Sequence, residues 1–493
     1  MAEMAAPSGE SFFDRRFRFS EQGTTLARDT VAGVTTFIVM SYIIFVNPAI
    51  LGFAGIEGLE GTGLPFEGVL TSTCLVAGVM TIVMGLVTNR AYAIAPGLGL
   101  NAVVAFSLVA GAGLGFPEAM GIVVMEGLLV TLLVLVGMRE AVMRAIPLEL
   151  KKAIAIGIGL FIAFIGLFNS GLVVRGEGTP VDLAPFTSWP VLITIFGLVV
   201  TIALRAIGFP GDLLVGIVAT TAFATIVNYA ADVYPRGVGY ARWPDDVARA
   251  PDFGLVGNVS FDSFATLGVV ATIAWIFSLF LADFFDTMGT LVGVGRAAGY
   301  LNKEGELPGI RRPLLVDSLA AVAGGAASAS SATTYIESGA GVGVGGRTGW
   351  VSVVTGALFF PFMFLAPLIG MVPPQATAPA LIVVGWMMIS ILTEREEEAE
   401  EEELGAGVRP EGRRLAGIDF HDVALGLSAA LVIMIMPFTF SITDGIGFGF
   451  IAYVVIRVAQ GLWRAVHPLM YAAAGAFVLY FLVPLLQDNF SWI

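Results

Sequence analysis

Two stretches of the chain, Ala91-Tyr-Ala-Ile-Ala-Pro-Gly-Leu-Gly-Leu-Asn101 and Thr333-Thr-Tyr-Ile-Glu-Ser-Gly-Ala-Gly-Val-Gly343, decide its fold. Each is an extended apolar tetrad that runs into a glycine-rich helix start. They lie seven hydrophobic segments apart, so in a membrane the two copies have opposite orientations. Strand-like backbone is not tolerated against lipid, because its N–H and C=O groups would find no partner there. The pieces Ala91–Ala95 and Thr333–Ile336 must therefore be buried in protein, and each other's edge is the simplest partner. Behind each, a half-helix begins near Gly97 or Ser338, with free N–H groups and the positive end of its dipole aimed at the membrane midplane. A solute is expected to sit there.

The surroundings of these stretches are those of a polytopic membrane protein. Of 493 residues, 57% are hydrophobic and 13% charged, and mean hydropathy is +0.87; soluble chains carry roughly 25% charged residues. Hydropathy places segments at 30–53, 68–88, 96–111, 117–138, 148–172, 189–206, 211–232, 265–293, 312–328, 337–348, 350–371, 375–393, 422–440, 444–460 and 468–486. This predicts an all-α protein of about 14 spans, the last segment being optional, with segments 3 and 10 each a short strand plus a half-helix. A second matching pair, the helix-turn-helix around Gly208-Phe-Pro-Gly-Asp212 and that around Ser441-Ile-Thr-Asp-Gly445, also lies seven segments apart. Two inverted seven-segment repeats are the architecture of a transporter that works by alternating access.

Charge orients the chain. With a cytoplasmic N-terminus, alternation leaves only Arg175, Arg236, Arg242 and Arg249 of the 25 basic residues outside, as the positive-inside rule requires. The stretch before the first apolar run lacks the features of a cleaved signal and reads as a cytoplasmic tail. Net charge is −14, and the densest acidic run, Glu394–Glu403, reads as a solvated loop. The single Cys74 sits in an apolar run, so neither a disulfide framework nor a cysteine metal site is expected.

Ionisable residues inside spans are costly and mark function. Here they are Glu126 in segment 4, Asp283 and Asp286 in segment 8, Asp317 in segment 9 and Glu337 at the start of segment 10. Asp283 and Asp286 share a helix face, and the half-helix dipole favours a charge at Glu337. These three are expected to converge on one cavity. Asp317 is expected at the membrane face as an ion-pair partner of Arg311 and Arg312, and Glu126 reads as either a proton relay or a structural carboxyl. His421 and His467 fall in connections, so any coupling proton must ride on a carboxylate. No Lys or Arg is expected at the cavity, and no metal or cofactor is called for. Acids and helix N-termini without a fixed cation suit a polar, neutral solute bearing N–H donors, and a purine base fits; an inorganic anion would be repelled. Asn101 offers a donor and an acceptor to such a ring, or else caps the half-helix. Tyr92, Tyr335, Phe284 and Phe285 are candidates to stack on it.

At these residues the chain resembles the hypoxanthine/guanine/adenine permease branch of the nucleobase:cation symporters, within the xanthine/uracil permease superfamily. The resemblance rests on Phe12-Phe13-Asp14, Thr30-Val-Ala-Gly-Val-Thr-Thr-Phe37 with Tyr42 to Pro48, Pro96-Gly-Leu-Gly-Leu-Asn101, Asp283-Phe-Phe-Asp-Thr-Met-Gly-Thr290, Ala332-Thr-Thr-Tyr-Ile-Glu-Ser-Gly339 and Met436-Pro-Phe-Thr-Phe-Ser-Ile-Thr-Asp-Gly-Ile-Gly447. It implies a core domain (30–138 and 264–371) and a gate domain (139–263 and 372–493, with the acidic loop 394–414), after a cytoplasmic tail of residues 1–29. It also implies a plasma-membrane importer, often dimeric, with substrate contacts at Gly99, Asn101, Asp283, Asp286 and Glu337. Proton symport is implied as well, through Asp283 or Glu337, with Glu126 as a further candidate. The sequence departs from the family where Ala-Val-Val follows Asn101 and where Phe285 precedes Asp286, both of which bear on pocket shape.

Other readings are a carrier of uracil or xanthine, an anion exchanger of the same fold, a channel or receptor, or an intramembrane protease. An exchanger should lack an acid at position 337. The proteases need Gly-x-Gly-Asp or His-Glu-x-x-His, and the nearest match, Gly97-Leu-Gly-Leu, has no Asp. An enzyme is therefore not expected, and neither is a nucleic-acid partner.

Overall fold

The structure, a computed structural model, describes residues 12–489 apart from 55, 57, 60, 138–144, 177, 235–238, 303–306 and 391–417. The acidic run Glu394–Glu403, the loop 394–414 and the basic residues Arg139, Arg144, Arg236, Lys303, Arg395, Arg409, Arg413 and Arg414 lie outside the described residues.

A short helix α1 (Phe12–Phe17) precedes the first apolar segment. That segment is divided into α2 (Leu26–Met40) and α3 (Ile43–Leu51), with Ser41 and Tyr42 at the break. Thr25 caps α2 by accepting from the Arg28 N–H, which starts the helix four residues before the apolar run. α4 (Phe66–Thr88) is continuous and stops at Asn89, which takes the left-handed conformation (φ 52°) common at helix ends.

β1 (Ile94–Pro96) and α5 (Leu98–Ala102) follow, and the chain then continues as a π-helix over Val103–Gly111. The expected half-helix is thus partly π-wound, a form frequent at functional sites. α6 (Phe116–Val136), α7 (Leu148–Asn169), α8 (Trp189–Ala206) and α9 (Asp212–Ala231) complete the first half.

The second half runs α10 (Val269–Ala297), α11 (Arg311–Ala326), β2 (Ala332–Thr334), α12 (Ser338–Gly343), α13 (Gly349–Phe359), α14 (Pro374–Ile389), α15 (Val423–Thr439), α16 (Ile442–Ala459) and α17 (Pro468–Asn489). Segment 11, expected as one helix over 350–371, loosens after Phe359 into a 3-10 turn and a short helix. Pro361 and Pro367 lack the N–H groups a continuous α-helix needs.

The two short strands pair with each other. β1 and β2 are antiparallel, with Ile94 opposite Thr334, Ala95 opposite Thr333 and Pro96 opposite Ala332. The ladder extends by Gly97 N–H to Ser331 O (2.8 Å) and Tyr335 N–H to Ala93 O (2.9 Å). All six strand residues are buried, so the backbone polar groups are satisfied inside protein as the membrane demands.

Packing repeats between the halves. α4 lies on α13 as α11 lies on α6; α8 on α9 as α15 on α16; α7 on α15 as α14 on α8; and α7 and α14 pack on each other. This exchange of partners is what inverted repeats produce. Among the described residues, eight helices are long and apolar enough to cross a membrane by length and composition, and shorter apolar helices lie in segments 3, 11, 12, 13 and 15. α17 packs on α16 and α10.

Backbones approach closely where glycines face each other, since small residues let membrane helices gain van der Waals contact. At the α7–α14 crossing, a Cβ on Gly159 would stand 2.7 Å from the Gly385 carbonyl oxygen, and one on Gly385 would stand 2.4 Å from that of Gly159.

Candidate functional site

The strand pair aims both half-helices at one region. α12 begins just after β2, and Glu337 occupies its N-cap position. The Glu337 carboxylate is 7% exposed and accepts a 2.7 Å hydrogen bond from the Tyr42 hydroxyl at the α2–α3 break. At the far end of α12, the Arg347 guanidinium donates to the carbonyls of Val342 and Gly346, each at 2.7 Å, a cation at the end where the helix dipole is negative.

α10 supplies the opposing acids. Asp283 is fully buried and Asp286, three residues on, is half-buried. Asp286 lies close enough to Glu337 and Asp317 to act on both electrostatically, and Asp283 close enough to Glu126, Asp317 and Asp286. The expected group of three carboxyls is therefore one of five. Glu126, on α6, reaches Asp283 within hydrogen-bonding distance. Two carboxylates are acceptors only, so this contact becomes a bond only when the pair holds a proton. Glu126 also accepts from the Ser331 hydroxyl at 3.3 Å.

The structure overturns one sequence expectation here and closes one alternative. Asp317 is not an interfacial partner of Arg311 and Arg312: it is 2% exposed and accepts from the Thr334 N–H (2.7 Å), the Thr334 hydroxyl (2.6 Å) and the Thr287 hydroxyl (2.6 Å). Its position one helical face away from Arg311 and Arg312 turns it inward, onto the end of β2. Asn101 does not cap its half-helix, whose N-cap is Gly97. It is fully buried, and neither atom of its amide has a hydrogen-bond partner among the described residues.

Arg205 on α8 lies within electrostatic reach of Glu337, although it pairs with Asp212 at 2.7 Å.

The aromatic candidates divide. Tyr92 donates to Leu291 O at 2.9 Å and Tyr335 to Pro96 O, so both hydroxyls tie the strands to their surroundings. Phe284 is buried between Phe280 and Phe285. Phe285 is half-buried, with the Lys151 ammonium 5.6 Å from its ring centre. Gly99 faces α7, and a Cβ there would stand 2.5 Å from Ile158 Cγ2.

Sequence reasoning misses Tyr42 as the Glu337 partner, and it misses Asp29. The latter is fully buried in α2 and accepts from the N–H groups of Thr348 (3.0 Å) and Arg347 (3.2 Å) and from the Thr24 hydroxyl (2.6 Å). A carboxyl one residue before the apolar run was a readable signal. Among the described residues, no group of three or more His, Cys, Asp and Glu is arranged to hold a metal ion.

Known proteins resemble the chain along most of its length. The model described as Permease family, that of the xanthine/uracil permeases, matches residues 28–398. The adenine permease AdeQ of Escherichia coli K12 is 37% identical, over 94% of this chain and 95% of its own. The guanine/hypoxanthine permease PbuG of Bacillus subtilis 168 is also 37% identical, over 94% and 98%. Among solved structures, the transmembrane domain of a cyanobacterial bicarbonate transporter, BicA, superposes with TM-score 0.56 at 16% identity, over 76% of this chain and 92% of that one. The murine solute carrier 26 family member A9, an anion transporter, gives TM-score 0.59 at 11% identity, over 93% and 74%. These two share the fold.

Proposed function

This chain belongs to the xanthine/uracil permease family, and from that premise we propose that it imports purine nucleobases (hypoxanthine, guanine and adenine) by proton symport with alternating access. The observation that carries the proposal is a pair of buried polar side chains whose hydrogen-bonding capacity the described residues leave largely unused. Both amide atoms of Asn101 lack a hydrogen-bond partner among the described residues, and the Asp283 carboxyl has none there apart from its contact with Glu126. Buried groups left unpaired cost about 1–3 kcal/mol each, and such groups in a native protein call for an explanation. A planar base with N–H donors on one edge and acceptors on the other supplies what is missing.

In this reading Glu337, held by Tyr42, and Asp283 accept from ring and exocyclic N–H groups. Asn101 reads the opposite edge, Asp286 borders the same space, and Gly99 lets α5 lie close to α7. The coupling proton is loaded onto Asp283 or Glu337, and the contact between Asp283 and Glu126 gives Glu126 a share in holding it. Residues 30–138 and 264–371 form the core that carries this site, and it moves against a gate of residues 139–263 and 372–493. The protein sits in the plasma membrane with its N-terminus in the cytoplasm, and a homodimer is the expected assembly.

The fold is shared with anion carriers, but a cluster of acids around Glu337 disfavours an anion there. The test is uptake of radiolabelled hypoxanthine, guanine, adenine, xanthine and uracil by proteoliposomes. Uptake of one or more of the three purines supports the assignment. Uptake of uracil alone, or of sulfate with no purine, overturns it.

A further inference from the structure

At the face of the molecule that carries α1, a cleft of about 680 Å³ opens between α1, the end of α4 and the approach to α11. Arg15, Arg16, Arg18, Arg90 and Arg312 line it, and none of its described lining residues is a carboxylate. In a chain of net charge −14 with 25 basic residues, one basic residue in five is gathered at this one concavity. The positive-inside tendency accounts for arginines on one membrane face. It does not account for their convergence, because like charges brought together repel.

Among the described residues, the neighbours do little to neutralise them. Glu21 lies 3.6 Å from Arg18, with both side chains about two-thirds exposed, a geometry worth little. Asp14 turns to Ser20, accepting from its hydroxyl at 3.2 Å. Arg16 and Arg90 donate to the backbone carbonyls of Leu86 and Pro308, contacts that fix the guanidinium groups, and neither forms an ion pair among the described residues. Arg90 also covers the Tyr300 ring at 5.3 Å. Its guanidinium lies near the Tyr92 hydroxyl, and its Nη1 is buried with no hydrogen-bond partner among the described residues.

We propose that this cleft binds a phosphate-bearing anion, either a soluble phosphate ester or the headgroup of an anionic lipid. Guanidinium forks match phosphate oxygens and hold them with charge-assisted bonds. The volume falls in the range of pockets for small organic ligands, larger than a bare ion requires. The cleft is also wired to the transport site. The Tyr300 hydroxyl accepts from Ala91 N–H at 3.0 Å and donates to Arg347 O at 2.6 Å, so one wall of the cleft touches both the residue leading into β1 and the end of α12. A bound phosphate would fasten α1, whose Phe13 and Phe17 rings pack on Trp350 at 5.2 and 5.4 Å, to the inner ends of both broken segments.

The experiment compares the full chain with Arg15→Gln/Arg312→Gln, which leaves the backbone-bonded Arg16 and Arg90 in place. Thermal unfolding is followed in phosphatidylcholine nanodiscs titrated with glycerol 3-phosphate, and separately in nanodiscs containing phosphatidylglycerol without it, against sodium chloride of matched ionic strength. The wild-type midpoint rises in at least one arm, and the double variant needs at least about tenfold more of the same anion, since a hydrogen bond to a charged group is worth about 1.5–3 kcal/mol. A response to glycerol 3-phosphate assigns the site to soluble esters, and a response to phosphatidylglycerol alone assigns it to lipid. No rise beyond the salt control in either arm, or a variant that responds as wild type does, overturns the proposal. If the double variant folds poorly, Arg312→Gln alone carries the same comparison.

Discussion

The Tyr42 hydroxyl donates a 2.7 Å hydrogen bond to Oε1 of Glu337, joining the break between α2 and α3 to the start of α12. A break in the first segment thereby positions the acid at the break in the tenth, 295 residues away.

Replacing Tyr42 with Phe removes that donor and keeps the ring. The carboxylate loses a charge-assisted bond worth about 1.5–3 kcal/mol. Uptake assays should show KM for the transported purine raised about tenfold or more, with the unfolding midpoint little changed. An unaltered KM would mean that the bond does not position Glu337 for substrate.

Glu126→Gln separates proton coupling from substrate binding. The amide can donate to Asp283 without needing a shared proton, so the pair no longer gains or loses one. The variant should still bind purine and exchange it across the membrane, while its uptake no longer responds to an imposed pH gradient. Wild-type acceleration by the gradient in Glu126→Gln would place the coupling proton elsewhere.

Asp317→Asn tests whether the third buried acid is structural. Its carboxylate holds the end of β2 through the Thr334 N–H and hydroxyl, and an amide turned the wrong way would set donor against donor. Stability in detergent should fall by about 1.5–3 kcal/mol, with transport lost in parallel. A stable protein that has lost only transport would move Asp317 into the substrate site itself.

Gly385→Ala acts at the α7–α14 crossing, where the added Cβ meets the Gly159 carbonyl oxygen at 2.4 Å. The helices must part, at a cost of about 1–3 kcal/mol typical of overpacking. Thermal unfolding measures it, and an unchanged midpoint would show that this contact is slack.

What could be read from the sequence was local. The passages 91–101 and 333–343 announce themselves because strand-forming residues, glycines and a helix start are contiguous, and their pairing follows from the lack of hydrogen-bonding partners in lipid. Asp283 and Glu337 stand out because ionisable residues are rare in spans. What could not be read depends on which helices meet. Tyr42 is one tyrosine among 10 until the fold sets it against Glu337. The spacing of Asp317 from Arg311 and Arg312 suggests an ion pair, whereas the helix face it occupies turns it toward Thr334. For Asn101 the sequence leaves open a contact to a ring or a helix cap; the cap is Gly97, and the amide is buried without a partner among the described residues. The contact of Glu126 with Asp283 joins α6 to α10 across residues with no periodic relation.

The most direct test is hypoxanthine accumulation in proteoliposomes under an acid-outside pH gradient, measured for the wild type, Glu337→Gln and Asp283→Asn. The wild type should accumulate the base above its equilibrium level only while the gradient lasts. Both variants, folded by their unfolding midpoints, should fail to do so. Gradient-driven accumulation that survives in both would contradict the placement of purine and proton at these carboxyls.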